Sequence, residues 1–299
     1  MTDLAEKAIQ NVLIVGAGWV GRQIAARFSL YGVDSVLTDS VSDVIDDVVE
    51  WINEIHRTQR PQENKNGNYS VAPVLGQLDD IWVQSQEIDL VIECVPEQVS
   101  IKKRVLKKLG QLSPAPVIIA SNSSYFVPSL LSKYVAAPER FANIHFHVPV
   151  LKDSVVDIVG SASTLPQVVS RLKELTERIG HEPLMLRNEH PGYVFNWILQ
   201  AVLKSSLELA ALDVADPQDI DKSWKAVTGM PVGPFGMMDR IGLDVIEQVL
   251  SNSKWSDIPG ATIEDMQKIL TALTDSGNLG VKSGQGFYSY DDNPNKGIA

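Results

Sequence analysis

The chain has 299 residues, a length that favours two domains over one compact core. Hydrophobic residues make up 44% and charged residues 21%, ordinary globular usage that lies outside the composition of disorder. A formal net charge of -11 repels a phosphate backbone and excludes nucleic acid as an expected partner.

Cys94 is the single cysteine, so no intramolecular disulfide can form, and a reducing, cytoplasmic setting is expected. The opening MTDLAEKAIQ has no charged segment followed by an apolar stretch, so no secretory signal is expected. The most apolar stretch, YVFNWILQAVLKSSLELAAL, is broken by Asn196, Gln200, Lys204 and Glu208, which argues against a membrane span.

Residues 12–15 are a short apolar run, followed by Gly16, Gly18 and Gly21 at G-x-G-x-x-G spacing and by helix-compatible residues up to Gly32. This pattern predicts strand, tight turn and helix. Gly16 permits the turn, Gly18 lets the backbone approach a pyrophosphate, and Gly21 lets helix and strand pack closely. The negative charge then rests on the helix N-terminus. Trp19 and Val20 fill unrestricted positions of the same cofactor-binding loop. The next strand, SVLTDS, carries Asp39 at its carboxyl end, 18 residues past Gly21, where an acid can hydrogen-bond a ribose 2′-hydroxyl. The same acid repels a 2′-phosphate, so NAD is expected rather than NADP.

A helix is expected over 43–57, then a polar, breaker-rich loop, TQRPQENKNGNYS, leaving the sheet as an excursion. Buried strands are expected at 88–95, 116–121, 141–148 and 154–160, a helix at 165–179, and a last strand in EPLMLR. The alternation implies a mostly parallel sheet. From Pro191 the texture becomes helical, in 191–213, 217–229, 242–252 and 262–277, with a domain boundary expected near residue 188. The predicted domains are thus 1–188 and 189–299. The tail from Gly280 is glycine-punctuated, and its last residues are expected to be loosely held.

His145 and His147 lie on one face of one strand, and either could accept a proton. Each alone is also compatible with a structural role. Asp157 interrupts the apolar run VVDIV, and a buried carboxylate costs several kcal/mol unless a cationic or hydrogen-bonding group meets it. A histidine on a neighbouring strand would be such a partner, and the pair would hold one imidazole tautomer and raise its basicity. SNSS, residues 121–124, follows an apolar strand at its carboxyl end, where open α/β sheets bind ligands, although its hydroxyls could simply cap the next helix. Asn196, Gln200, Lys204 and Glu208 form one polar stripe, with a solvated helix face as the plain alternative.

Taken together, GAGWVG, IECVPEQVSIKKRVLKKL, ASNSS, RFANIHFHVP, HPGYVFNWIL, VGPFGMMDRIGLD and GVKSGQGFYSY make nearly the whole chain resemble the 3-hydroxyacyl-CoA dehydrogenase family, which includes relatives that oxidise carnitine and L-gulonate. The resemblance implies an N-terminal Rossmann-type domain, a helical C-terminal domain that makes a homodimer, and a substrate cleft between them. It assigns Ser124, His145, Asp157 and Asn196 to catalysis and Glu97 and Lys102 to the cofactor side, and it calls for no metal. His145 would take the proton of a 3-hydroxyl while the carbon gives hydride to NAD, Asp157 would stabilise the imidazolium, and Ser124 and Asn196 would hold the reacting oxygen or its neighbouring carbonyl.

Three positions depart from the family. Asp157 replaces a glutamate, so the backbone must come closer or water must bridge. Val148 replaces an asparagine and Trp197 an arginine. Residues 41–87 carry nine acids against Arg57, Arg60 and Lys65, a balance that repels coenzyme A, although Lys102 on a lysine-rich helix could still meet a phosphate. The expected substrate is therefore a small molecule, either an L-3-hydroxyacyl-CoA or a free 3-hydroxy acid. The alternative is a non-catalytic NAD-binding redox sensor or structural paralogue.

Overall fold

The computed structural model describes residues 8–41, 43–59, 68–72, 88–113, 116–252 and 262–290. Eight strands lie among them: β1 (Asn11–Val15), β2 (Asp34–Thr38), β3 (Tyr69–Ala72), β4 (Leu90–Glu93), β5 (Ile118–Ser121), β6 (Phe141–Phe146), β7 (Val155–Gly160) and β8 (Glu182–Met185). They form one sheet in the order β3-β2-β1-β4-β5-β6-β7-β8. All neighbours are parallel except β6 and β7. Residues 147–154, which join that pair, are too few for a crossover, and a parallel return needs a dozen or more.

Both faces of the sheet are covered, so its central strands are continuous apolar runs rather than alternating ones. Val12 and Ile14 of β1 pack on one side with Ile24 and Phe28 of α1 (Trp19–Leu30), Val48 and Ile52 of α2 (Asp43–Thr58), and Leu172 of the helix Pro166–Arg178. Leu13 and Val15 face the other side, against Val105, Leu106 and Leu109 of α3 (Val99–Leu112) and Leu131 of the short α4 (Pro128–Leu131). The helix Pro166–Arg178 is α5.

The polar loop expected over 58–70 is corrected at its end, where Tyr69–Ala72 pairs with β2 as the outermost strand. An edge strand needs one partner only, and its four residues follow a polar run, so no buried-strand pattern announces it. The remainder of that excursion, 60–67 and 73–87, lies outside the described residues.

The chain divides into two compact units, Met1–Val194 and Phe195–Ala299. The second is built of α6 (Phe195–Ala211), α7 (Pro217–Thr228), α8 (Pro234–Ile241), α9 (Leu243–Asn252) and α10 (Ile263–Thr274). Leu203, Leu207, Phe235, Met238, Leu243, Leu250, Met266 and Leu270 form its core. The sequence pattern missed α8, whose Pro234 and Gly236 look like breakers; Pro234 stands at the first helical position, where its missing N–H costs nothing. The glycine-punctuated tail is anchored by the buried Asp239, whose carboxylate accepts from the Phe287 and Tyr288 amides and the Tyr290 hydroxyl, each at 2.9 Å. Residues 291–299, expected to be loose, lie outside the described residues. Among the described residues no helix is long and apolar enough to cross a membrane.

Candidate active site

The glycine motif sits where β1 gives way to α1. Gly16 has φ 113, and a Cβ there would lie 2.6 Å from the Cys94 carbonyl oxygen, so no larger residue fits. At Gly21 a Cβ would run into the Gly16 carbonyl. Gly18, which caps α1, is different: a Cβ would meet nothing within 4 Å. The first turn of α1 has neither an acidic residue nor a side-chain cap, which leaves its amides for an anion. Asp39 closes the loop from the end of β2 by accepting from the Ala17 amide at 2.7 Å. An open helix N-terminus with an acid at the end of the adjacent strand, 2.7 Å from the loop's Ala17 amide, is an arrangement that fits a dinucleotide.

A second cluster joins the carboxyl ends of β4 and β5. Glu93 is completely buried and accepts from the Val95 amide and Lys102 Nζ, each at 2.8 Å, and from Ser121 Oγ at 2.6 Å. Lys102 Nζ also pairs with Glu97 at 3.2 Å, and Glu97 in turn accepts from the Ser123 hydroxyl and the Tyr125 amide. Burial alone would lower the Lys102 pKa, but the two carboxylates outweigh it and hold the ammonium charged. The phosphate contact considered for Lys102 is thereby corrected: its side chain is 1% exposed and its charge is already met by acids. Glu93 was missed. A single charge inside the apolar run LVIECV was the available signal, because such a group is buried only with partners.

The third cluster carries the titratable groups. The antiparallel ladder sets His145 of β6 directly opposite Asp157 of β7. Opposed side chains have Cβ atoms about 5 Å apart, so an aspartate reaches across. His145 Nδ1 lies 3.0 Å from Asp157 Oδ2, without the bridging water that its shorter side chain suggested. His147, on the same face two residues on, brings Nε2 to 2.9 Å from the same oxygen. The two rings meet edge to face at 4.5 Å. Burial lowers the His145 pKa against the pull of Asp157, so its imidazole is neutral near pH 7. Burial would raise the Asp157 pKa, but the two imidazole hydrogen bonds prevail and keep it ionised.

Tyr193 is a further member that the sequence did not single out. It is buried with φ 51, a strained value for a bulky residue. Its ring lies 5.1 Å from that of His145, its hydroxyl donates to the Ser123 carbonyl at 2.8 Å, and it accepts from Asn143 Nδ2 at 2.7 Å. One side chain thus ties the SNSS loop to the histidine strand. Ser124 is half-buried in that loop, and among the described residues its hydroxyl has no hydrogen-bond partner. The hydroxyl of Ser123, by contrast, accepts from the Phe126 amide and turns the loop.

The first unit therefore gathers Ser124, His145, His147, Asp157 and Tyr193 at the carboxyl edge of β5 and β6, where open α/β sheets bind ligands. Asn196 belongs to the helical unit, half-buried in the first turn of α6. Further along α6, Lys204 and Glu208 pair at 2.6 Å, with Glu208 buried, so the stripe is not a fully solvated face. Val148 is 53% exposed and Trp197 46%.

Residues 11–189 match the NAD-binding domain of 3-hydroxyacyl-CoA dehydrogenase, and residues 192–290 match its C-terminal domain. The chain is 28% identical over 293 residues to the 5-formyl-3-hydroxy-2-methylpyridine 4-carboxylate 5-dehydrogenase of Mesorhizobium japonicum, covering 97% of this chain and 94% of that protein. It is 30% identical over 293 residues to a probable 3-hydroxybutyryl-CoA dehydrogenase of Deinococcus radiodurans, covering 93% of this chain and 99% of the relative. A solved diketoreductase structure superposes with a TM-score of 0.82 at 31% identity, covering 95% of this chain and all of that one. With both domains matched in order and a loop built for a dinucleotide, the chain belongs to the 3-hydroxyacyl-CoA dehydrogenase family of NAD-dependent oxidoreductases.

Proposed function

We propose that the chain oxidises the 3-hydroxyl of an L-3-hydroxyacyl substrate to the 3-oxo product, with His145 as the base. The observation that carries this reading is the 3.0 Å contact of His145 Nδ1 with Asp157, made between residues directly opposed across β6 and β7. An ionised carboxylate only accepts, so Nδ1 carries the hydrogen and Nε2 keeps its lone pair for the substrate hydroxyl. Bound NAD supplies the hydride acceptor.

As the proton arrives on Nε2, Asp157 faces an imidazolium and stabilises it through a charge-assisted hydrogen bond. General-base catalysis of this kind is worth about 10²–10⁴ in rate. Tyr193 limits rotation of the ring from its other side. The Ser124 hydroxyl, uncommitted within the described residues, is the donor we assign to the reacting oxygen.

Two features favour a small free 3-hydroxy acid over a coenzyme A thioester. Residues 41–87 are strongly acidic, and Lys102 is spent on Glu93 and Glu97. Two relatives named above, the pyridine carboxylate dehydrogenase and the diketoreductase, are also named for substrates without coenzyme A.

The test is a matched panel of free 3-hydroxy acids, L-3-hydroxyacyl-CoAs, carnitine and gulonate, followed by NADH absorbance. Turnover of at least one member is expected, with His145→Ala losing it while still binding NAD. Salt-sensitive saturation by thioesters alone would overturn the free-acid assignment. A protein that binds NAD but turns over no member would favour the sensor reading.

A further inference from the structure

The histidine pair and its carboxylate also form a metal donor set, although the sequence called for none. His145, His147 and Asp157 each offer one ligand atom, and these atoms lie within 4.8 Å of one another. Both ring nitrogens converge on Asp157 Oδ2, at 3.0 and 2.9 Å. The other carboxylate oxygen, Oδ1, is buried and has no hydrogen-bond partner among the described residues, although Asp157 is only 1% exposed. A buried, ionised acceptor left unserved is costly, and a cation is one group that would serve it.

Two imidazoles and a carboxylate suit Zn²⁺ and its neighbours among the divalent first-row metals. Zinc–ligand bonds of about 2.0–2.1 Å in a tetrahedron separate the ligands by about 3.4 Å. The two contacts to Oδ2 need to open by a few tenths of an ångström, and the two ring nitrogens, all three donors lying within 4.8 Å of one another, need to draw in around the ion. His147 follows the last residue of β6, so its ring can make that adjustment without breaking the ladder. Three protein ligands leave a fourth position for water, the arrangement of accessible rather than structural zinc sites.

We propose that His145, His147 and Asp157 bind one divalent ion of the Zn²⁺ class, and that its binding switches off the base. The second half rests on the reading of His145 given above. A neutral imidazole carries one hydrogen. With the metal on His145 Nδ1, that hydrogen moves to Nε2, which can no longer accept the substrate proton. Metal on His147 Nε2 likewise displaces any hydrogen from that nitrogen, to the other ring nitrogen or to solvent. The ion acts on the proton-accepting step and leaves the glycine loop untouched.

The full chain, stripped of metal by chelator and dialysed, is titrated with ZnCl₂ by calorimetry and with CoCl₂ by visible absorbance. One ion per chain is expected, with a Co²⁺ band of tetrahedral intensity and at least tenfold weaker binding in both His147→Gln and Asp157→Asn. Far-UV circular dichroism and NAD binding establish that the variants are folded. Absence of stoichiometric binding, or binding that both variants retain, overturns the site. In the activity arm, equimolar Zn²⁺ is expected to lower wild-type turnover at least tenfold, reversibly with EDTA and with NAD binding kept. Stoichiometric binding without inhibition overturns the switch. If the chain turns over none of the substrates, the Co²⁺ band still decides the site, so the two readings fail separately.

Discussion

Asp157→Asn separates a carboxylate that merely neutralises charge from one that sets a tautomer. An amide presents one oxygen and one NH₂ group. With its oxygen toward the rings, both histidines still donate and only the charge is lost. A charge-assisted hydrogen bond exceeds a neutral one by about 1–2 kcal/mol, so kcat would fall about 5- to 30-fold. With its NH₂ toward the rings, both histidines must accept, the His145 hydrogen moves to Nε2, and the base proposed above is lost. Such tautomer loss costs about 10⁴-fold in serine-protease triads. The buried Oδ1 position decides between them, because among the described residues nothing there forms a hydrogen bond. Whichever amide atom occupies it is orphaned, and a buried N–H is tolerated less well than a buried carbonyl oxygen. The oxygen therefore takes the orphan position and the NH₂ faces the rings. The expected result is a loss of about 10³–10⁴ in kcat with the KM for NAD nearly unchanged. Steady-state kinetics measure the loss, and imidazole ¹⁵N shifts report which His145 nitrogen is protonated. A fall of less than about 30-fold with Nδ1 still protonated would refute the tautomer argument.

Lys102→Met removes the cation between Glu93 and Glu97 and leaves the Glu93 carboxylate buried without it; breaking such a pair costs about 3–5 kcal/mol, and a urea-melt loss below about 1 kcal/mol would contradict the network's role. Asp39→Ala is expected to weaken NAD binding about 10- to 100-fold and to narrow its preference over NADP, both read from cofactor titrations, with unchanged selectivity as the contrary result. His181 is held down to about 4, first by burial and then by Arg27, against an ordinary 6.5. Above pH 6.5 neither state protonates it. Between 6.5 and about 4 the unfolded chain binds a proton that the folded chain refuses, so stability falls with acidification by up to about 1.4 kcal/mol per pH unit, and below about 4 this contribution levels off. Urea midpoints across that window should fall less steeply in His181→Gln; parallel lines for the two proteins would refute the assignment.

The parts of the molecule that could be read from sequence are those where one local pattern forces one structure. Buried parallel strands read as continuous apolar runs: β4, β5 and β6 lie within the spans expected of them, and β1 begins one residue before its own. The glycine spacing was legible for the same reason, since Gly16 needs a positive φ and Gly21 a close approach. What stayed hidden depended on distant partners. Nothing in YSVA says that β2 has an open edge. Nothing in PFGMMDRI says that its proline will start a helix rather than end one. Glu93 and Lys102 are nine residues apart across a turn, and only the fold shows that the lysine points inward instead of joining the basic face of α3. Tyr193 acts through a backbone conformation that no composition signals.

The histidine strand shows most clearly where spacing stops and register begins. Alternation puts 145 and 147 on one face, and the twelve-residue step to 157 is compatible with a partner for either. The ladder pairs 145 with 157 in direct opposition, and that register brings the shorter acid within reach of both rings rather than choosing between them. A directly opposed aspartate needs no extra methylene to reach Nδ1, so the shorter acid is no handicap at this position. Because the carboxylate stays close to its own strand, a second ring two residues along can reach the same oxygen. The short acid and the second histidine therefore belong together. Replacing Asp157 with glutamate would push the carboxylate past the point where both rings converge and break that sharing. A double-mutant cycle between Asp157→Glu and His147→Gln should accordingly show a coupling of about 0.5–3 kcal/mol, the range for residues that share one network, whereas additive effects would mean that the two imidazoles use the carboxylate independently.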